Sequence, residues 1–203
     1  MLSEEVAEFA KIPGVRDKFK QGRWNLSDAE VEESYDGWGW RVDIDGEEWN
    51  VYPDYDTAER VAQEQVQEQL ESNPEMFNQD WLWNFSSLSD TDARVTANDL
   101  ADMDLEGARD NGEIDEEDDE AEDNYLLERY EEHYKALKKD PKYYLVEELG
   151  MMDTEQFFKT YPNAIDTKEA AEDAINTDGL GHFLSPYDGG EEEHGKTIWF
   201  RQN

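Results

Sequence analysis

The side chains with most chemical capacity in this sequence are carboxylates. Eleven consecutive positions, 113-EIDEEDDEAED-123, hold nine Asp or Glu and no base. Carboxylates can bind divalent cations, share acid and base roles in hydrolysis, or meet the cations of a partner protein, and each use demands its own spacing. A calcium loop alternates oxygen ligands, places a glycine at the sixth position and closes on glutamate. The nearest stretch runs from Glu32 through Ser34, Asp36 and Gly37 to Asp43; it has Ser at the third position and Asp at the last. It also overlaps an alternating apolar run, so a strand is the expected reading. Paired-carboxylate hydrolysis needs one acid with a raised pKa in a partly apolar cleft. None of the 54 acidic residues stands apart in this way. The glycine and serine motifs of phosphate loops, dinucleotide sites and nucleophile elbows do not occur.

His133, His182 and His194 are the only histidines. His182 and His194 are expected to flank the last hairpin, and all three are read as surface or strand-filling residues. The tryptophans Trp38, Trp40, Trp49, Trp81 and Trp83 could stack nucleic-acid bases, but such platforms need a basic groove. Here they read as core and sheet-pairing residues, one or two of them interface anchors. No catalytic, cofactor-binding or metal-binding residue is therefore assigned, and a non-enzymatic protein is expected.

The elements that must position the acids follow from periodicity. Residues 38-WGWRVDIDGEEWNVYP-53 alternate around Asp45-Gly46, which reads as a β-hairpin. A second hairpin is expected over about 182–201, turning at Asp188-Gly189-Gly190. Ser3 caps a short helix, Pro13 opens another, and Ser27 to Glu30 resembles a capping box ahead of a helix over 28–35. Ala58, Ala62, Val66 and Leu70 recur at helical spacing within 57–73, capped at Asp56. Residues 76-MFNQDWLWNF-85 are expected to plug the core. Residues 90–110 read as a helix with Val95, Leu100, Met103 and Leu105 inward. After the acidic run, 124–140 reads as a helix whose last turn collects Lys135, Lys138 and Lys139, as the helix dipole favours. Shorter helices are expected at 143–149, 154–161 and 168–176. The expected architecture is α+β: a small antiparallel sheet from the two hairpins, with several helices packed on one side. It forms a single domain over 1–203 with a mobile acidic segment at 111–123.

Aromatic residues make up 12% of the 203 residues and hydrophobic residues 36%, enough for a real core. The formal charge is −36, from 54 acidic and 18 basic residues. It is unevenly spread: residues 51–123 hold 24 acids and only three bases. Their excess matches the phosphates of roughly ten base pairs, since duplex DNA carries one charge per roughly 1.7 Å. There is no cysteine, which fits a cytosolic setting, and no apolar run approaches the roughly 20 residues of a membrane span. Nucleic acid and anionic membranes would be repelled, so basic proteins are the expected partners.

In charge, size, lack of cysteine and aromatic content the chain resembles the DNA-mimic inhibitors of phages and mobile elements, among them the Ocr and ArdA antirestriction proteins and acidic anti-CRISPR proteins. The stretches 38–70 and 183–203 are similar to small phage proteins. The resemblance implies an inhibitor, in the cytoplasm of an infected bacterium, that imitates nucleic-acid charge. It would block the DNA-binding cleft of a basic host protein of defence or DNA processing. Expected contacts are Glu59, Glu64, Glu68 and Glu71 on the helix over 57–73, and Asp99, Asp102 and Glu106 on that over 90–110. The run adds Asp115, Glu116, Glu117, Asp118, Asp119 and Glu120. A homodimer would lengthen the charged surface. The alternatives are an acidic adaptor or chaperone-like module and a metal-dependent hydrolase.

Overall fold

A computed structural model describes residues 2–115 and 118–203. The fold is α+β, with an antiparallel five-stranded sheet. The chain divides into two compact units. One comprises the residues up to Ser72 together with Lys168–Asn203, the other Asn73–Thr167. The division thus falls near 72 and 168, away from the acidic run.

The first unit is built on the sheet, in the order β1-β2-β3-β5-β4 (β1 Ala29–Glu33, β2 Trp40–Ile44, β3 Glu47–Tyr52, β4 Glu192–His194, β5 Thr197–Arg201). The expected β2–β3 hairpin forms, with Asp45 (φ 56°) and Gly46 (φ 83°) both left-handed in its two-residue turn. That pair of positive φ values gives the turn the twist that matches the flanking strands. β1 replaces the helix expected after Ser27. Leu26–Asp28 makes one 3-10 turn, and Ala29 and Val31 then pair opposite Ile44 and Val42. Two inward apolar positions at period two outweigh a capping box when a strand edge is available for pairing. The last hairpin also shifts. It turns at Gly195 and Lys196 rather than at 188–190, and Leu180–Leu184 is a helix, α9.

Helices cover both faces of the sheet, not one. Val42, Ile44, Trp49, Val51 and Trp199 pack with Phe9 of α1 (Glu4–Phe9) and Phe19 of α2 (Val15–Gly22). On the opposite face Tyr52, Ile198 and Phe200 meet Ala58, Val61 and Ala62 of α3 (Tyr55–Ser72), Ile175 of α8 (Thr167–Asp178) and Leu184 of α9. Thr197, Ile198, Trp199 and Phe200 are all buried because their strand feeds both cores. α3 buries Ala58, Ala62, Val66 and Leu70 as the periodicity requires. Its first turn is capped by Asp54, whose carboxylate accepts the Thr57 N–H at 2.8 Å, two residues before the expected cap.

The second unit is dominated by α5 (Asp90–Asp110) and α6 (Asp119–Lys139). Pairings of Arg109 with Glu122 and of Asp104 with Arg129 show that the two helices run antiparallel. Leu82 of α4 (Gln79–Leu82) and Phe157 and Phe158 of α7 (Thr154–Thr160) belong to this unit's core; Trp83 packs on both phenylalanines. Met76 of the expected core plug is exposed instead.

Candidate functional site

The acids of the second unit owe their placement to alanine. α5 buries Ala93, Ala97, Leu100, Ala101, Leu105 and Ala108. Small side chains let the α6 backbone approach, so this stripe, rather than the larger Val95 and Met103, takes the seam. Val95 and Met103 are 55% and 56% exposed, against expectation. At 100° per residue, Asp99, Asp102, Glu106 and Asp110 fall within a sector of about 80° opposite the alanine seam. All four are exposed. Asp99, Asp102 and Glu106 were expected there; Asp110 joins them. None of the four is in a salt bridge among the described residues, whereas the flanking Asp90, Asp104 and Glu122 are paired with Arg94, Arg129 and Arg109. Four unpaired carboxylates over about 16 Å of helix axis give one per ~5 Å, against one phosphate per ~3.4 Å along a DNA strand. Val95 lies in the same sector and Met103 about 20° beyond its edge, so the face mixes carboxylates with two bare apolar side chains.

The second half of the acidic run is helical. α6 begins at Asp119, not at Asn124. The Asp118 carboxylate caps it by accepting the Ala121 N–H at 3.1 Å, and Asp119, Glu120 and Glu122 fill its first turn. Carboxylates at a helix N-terminus interact favourably with the dipole and the open N–H groups. The acids that looked like a linker are thus in part a helix start. Asp115, Asp118, Asp119 and Glu120 are exposed; Glu116 and Glu117 lie outside the described residues.

On α3, in the first unit, Glu64, Glu68 and Glu71 share an exposed stripe at helical spacing. Glu59 does not. It lies about 140° round the helix from Glu64, next to the buried Ala58 and Ala62, and is only half-exposed.

One polar cluster escaped the sequence reading. His133, expected at the surface or filling a strand, is instead 2% exposed on α6 inside the second unit. Its Nε2 lies 3.0 Å from Asp104 Oδ2, and its Nδ1 lies 2.5 Å from the Tyr144 hydroxyl. Arg129 Nε donates to the same Asp104 oxygen at 2.6 Å. Burial pushes the Tyr144 phenol up, keeping it a neutral hydrogen-bonding group. Tyr144 sits in a π-helical turn, Tyr143–Glu148, so the cluster ties α5, α6 and that turn together. The signal was present: His133 follows Leu126 by seven residues and precedes Leu137 by four, on the apolar face. His182 lies on α9 and His194 on β4, so they do not face each other across a hairpin; His194 accompanies Glu192 at 3.3 Å instead.

Among the described residues no cluster of three or more His, Asp or Glu is arranged to hold a metal ion. No helix among them is long and apolar enough to cross a membrane. Comparison with known proteins finds no matching family model, no matching curated relative and no matching solved structure.

Proposed function

We propose that the protein is a non-enzymatic, phage-type inhibitor that places the acidic face of α5 in the nucleic-acid-binding cleft of a basic bacterial protein. The observation that carries this reading is the stripe Asp99, Asp102, Glu106 and Asp110, left without countercharge opposite a seam of alanines. The chain pairs other acids of the same two helices with arginines. Carboxylates held on a rigid helix, already desolvated little and pointing outward, suit Lys and Arg groups that otherwise neutralise phosphates. Attraction by the whole negative surface would speed encounter at low salt.

The test begins with capture of the partner from bacterial lysate and its identification by mass spectrometry. Duplex DNA is then added to the purified complex. DNA should displace the protein, and D99N/D102N/E106Q should weaken binding roughly 10- to 100-fold, as removal of three close charge pairs implies. Unchanged binding in the presence of saturating DNA would sink the proposal. Substitution is the proper probe of the run as well, because deleting 113–123 removes the first turn of α6.

A second reading is an acidic adaptor that shields a basic partner without imitating DNA. Val95 and Met103 favour it, since a phosphate backbone has no apolar counterpart to them. V95S/M103Q separates the two: an adaptor loses affinity, while a charge mimic keeps it.

A further inference from the structure

In the first unit, residues 34–39 join β1 to β2 in a loop fixed from within. Ser34 N–H donates to Gly39 O, and Ser34 Oγ accepts the Gly39 N–H at 2.9 Å while donating to Asp36 at 2.5 Å. The Asp36 carboxylate also accepts from Trp38 N–H at 2.8 Å and from the Tyr52 hydroxyl at 2.9 Å. Gly39 is required, because a Cβ there would lie 2.5 Å from the Val51 carbonyl oxygen. This ordered loop holds Tyr35 fully exposed and Trp38 46% exposed. Rigid, exposed aromatic residues contribute nothing to the core and are the side chains most enriched at binding surfaces.

Beside the loop is a cavity of about 330 Å³ walled by Trp38 and Trp40 and rimmed by glutamates of α1 and β1, including Glu5, Glu8, Glu32 and Glu33. Glu8 is paired with Lys11, and Glu32 approaches Arg41 at 3.8 Å. Glu5 and Glu33 have no salt bridge among the described residues. The tryptophan walls add an observation independent of the acids. Trp38 already carries a guanidinium, with Arg60 Cζ 3.6 Å from its ring centroid. A ring that stacks a guanidinium, next to carboxylates without countercharge, selects a flat, weakly hydrated cation over a compact ammonium.

We infer that this cavity is a docking pocket for an arginine side chain of a partner protein. The guanidinium enters against the Trp38 and Trp40 wall toward Glu5 and Glu33. The pocket lies in the first unit and requires nothing of the α5 face, so it goes beyond the proposal above.

The experiment titrates the full chain with acetyl-Gly-Arg-Gly-amide and with its lysine counterpart, following the seven indole N–H resonances by NMR. The expected result is saturable movement confined to Trp38 and Trp40, with a dissociation constant on the order of millimolar for one side chain. Arginine should bind several-fold better than lysine. E5Q/E33Q, both at exposed positions, should weaken the arginine peptide roughly tenfold, and D99N/D102N/E106Q should leave it unchanged. A flat titration, equal response to the lysine peptide, or full binding by a folded E5Q/E33Q variant overturns the inference. The α5 face is tested by DNA competition, so either assignment can fail alone.

Discussion

Replacing Glu192 should cost more stability than replacing the lysine it pairs with. Lys18 reaches into the first unit's aromatic core, its ammonium 4.3 Å from the ring centroid of Trp49, 5.4 Å from that of Trp24 and 5.7 Å from that of Trp199. Its side chain is 7% exposed, while that of its partner Glu192, at 2.6 Å, is 49% exposed. The cation is buried and the anion is wet. Glu192→Gln strands a charge that water cannot reach. Breaking a fully buried pair in this way costs about 3–5 kcal/mol. Screening at the half-exposed carboxylate and the three remaining rings reduce the expectation to about 2 kcal/mol. Lys18→Met removes the buried charge, keeps an unbranched stem against the rings and lets Glu192 hydrate, for a loss of about 1 kcal/mol. Urea unfolding of both variants and the double variant at neutral pH measures each term and their coupling. If Lys18→Met is at least as damaging as Glu192→Gln, the ammonium does not depend on its carboxylate and the reasoning fails. The pH dependence has a fixed sign. Burial alone would raise the Glu192 pKa, but hydrogen bonds from Lys18 and His194 hold it below its ordinary value of 4.5. A depressed carboxylate stabilises above its unfolded pKa and loses that contribution as pH falls through the folded one. The gap between the parent protein and Glu192→Gln should therefore be constant down to about pH 4.5 and close below it.

His133→Ala removes an imidazole bonded on both nitrogens, leaves the buried Tyr144 hydroxyl without that partner and opens a cavity. About 2–4 kcal/mol is expected in denaturant unfolding; a loss under about 0.5 kcal/mol would show the cluster to be incidental. Asp118→Ala should cost about 1 kcal/mol and Asp118→Asn much less, since either Asp or Asn can cap. The loss should appear as faster hydrogen exchange at Ala121 and Glu122, and equal exchange in both variants would argue against the cap.

The parts of this fold that could be read from the sequence are those governed by one local rule. Asp45-Gly46 specifies its turn because both positions need positive φ, and Ala58 to Leu70 specify a helix through spacing alone. The misreadings occur where a long-range partner decides. Residues 28–33 satisfy a capping box, yet β2 offers a ladder that Ala29 and Val31 fit. On α5 the larger side chains Val95 and Met103 were placed inward by hydropathy, but the close partner α6 rewards alanine, a preference invisible without knowing that α6 packs there. Glu59 was grouped with Glu64, Glu68 and Glu71 by composition, although its angle sets it apart. His133 differs for a simpler reason: its spacing from Leu126 and Leu137 puts a polar residue type on the apolar face of α6.

Charge of this magnitude opposes compaction, and the structure shows where the opposition is relieved. Acids start α1, α5, α6 and α7, at Glu4 and Glu5, Asp90 and Asp92, Asp119 and Glu120, and Glu155. Each helix has a Ser or Asp cap whose side chain accepts a backbone N–H, so its first-turn acids meet the positive end of the dipole. Others are neutralised by arginine along the α5–α6 seam. Acids used in these ways are explained by folding, and their number carries no information about a partner. The densest run, 113–123, falls in this group in part, because Asp118 caps α6 and Asp119, Glu120 and Glu122 fill its first turn. Asp99, Asp102, Glu106 and Asp110 do not: they sit mid-helix or beyond, far from an N-terminus and without countercharge. At a helix C-terminus such as Asp110 a carboxylate is mildly unfavourable. The proposed recognition therefore rests on the four acids that folding does not need, not on the nine of the dense run.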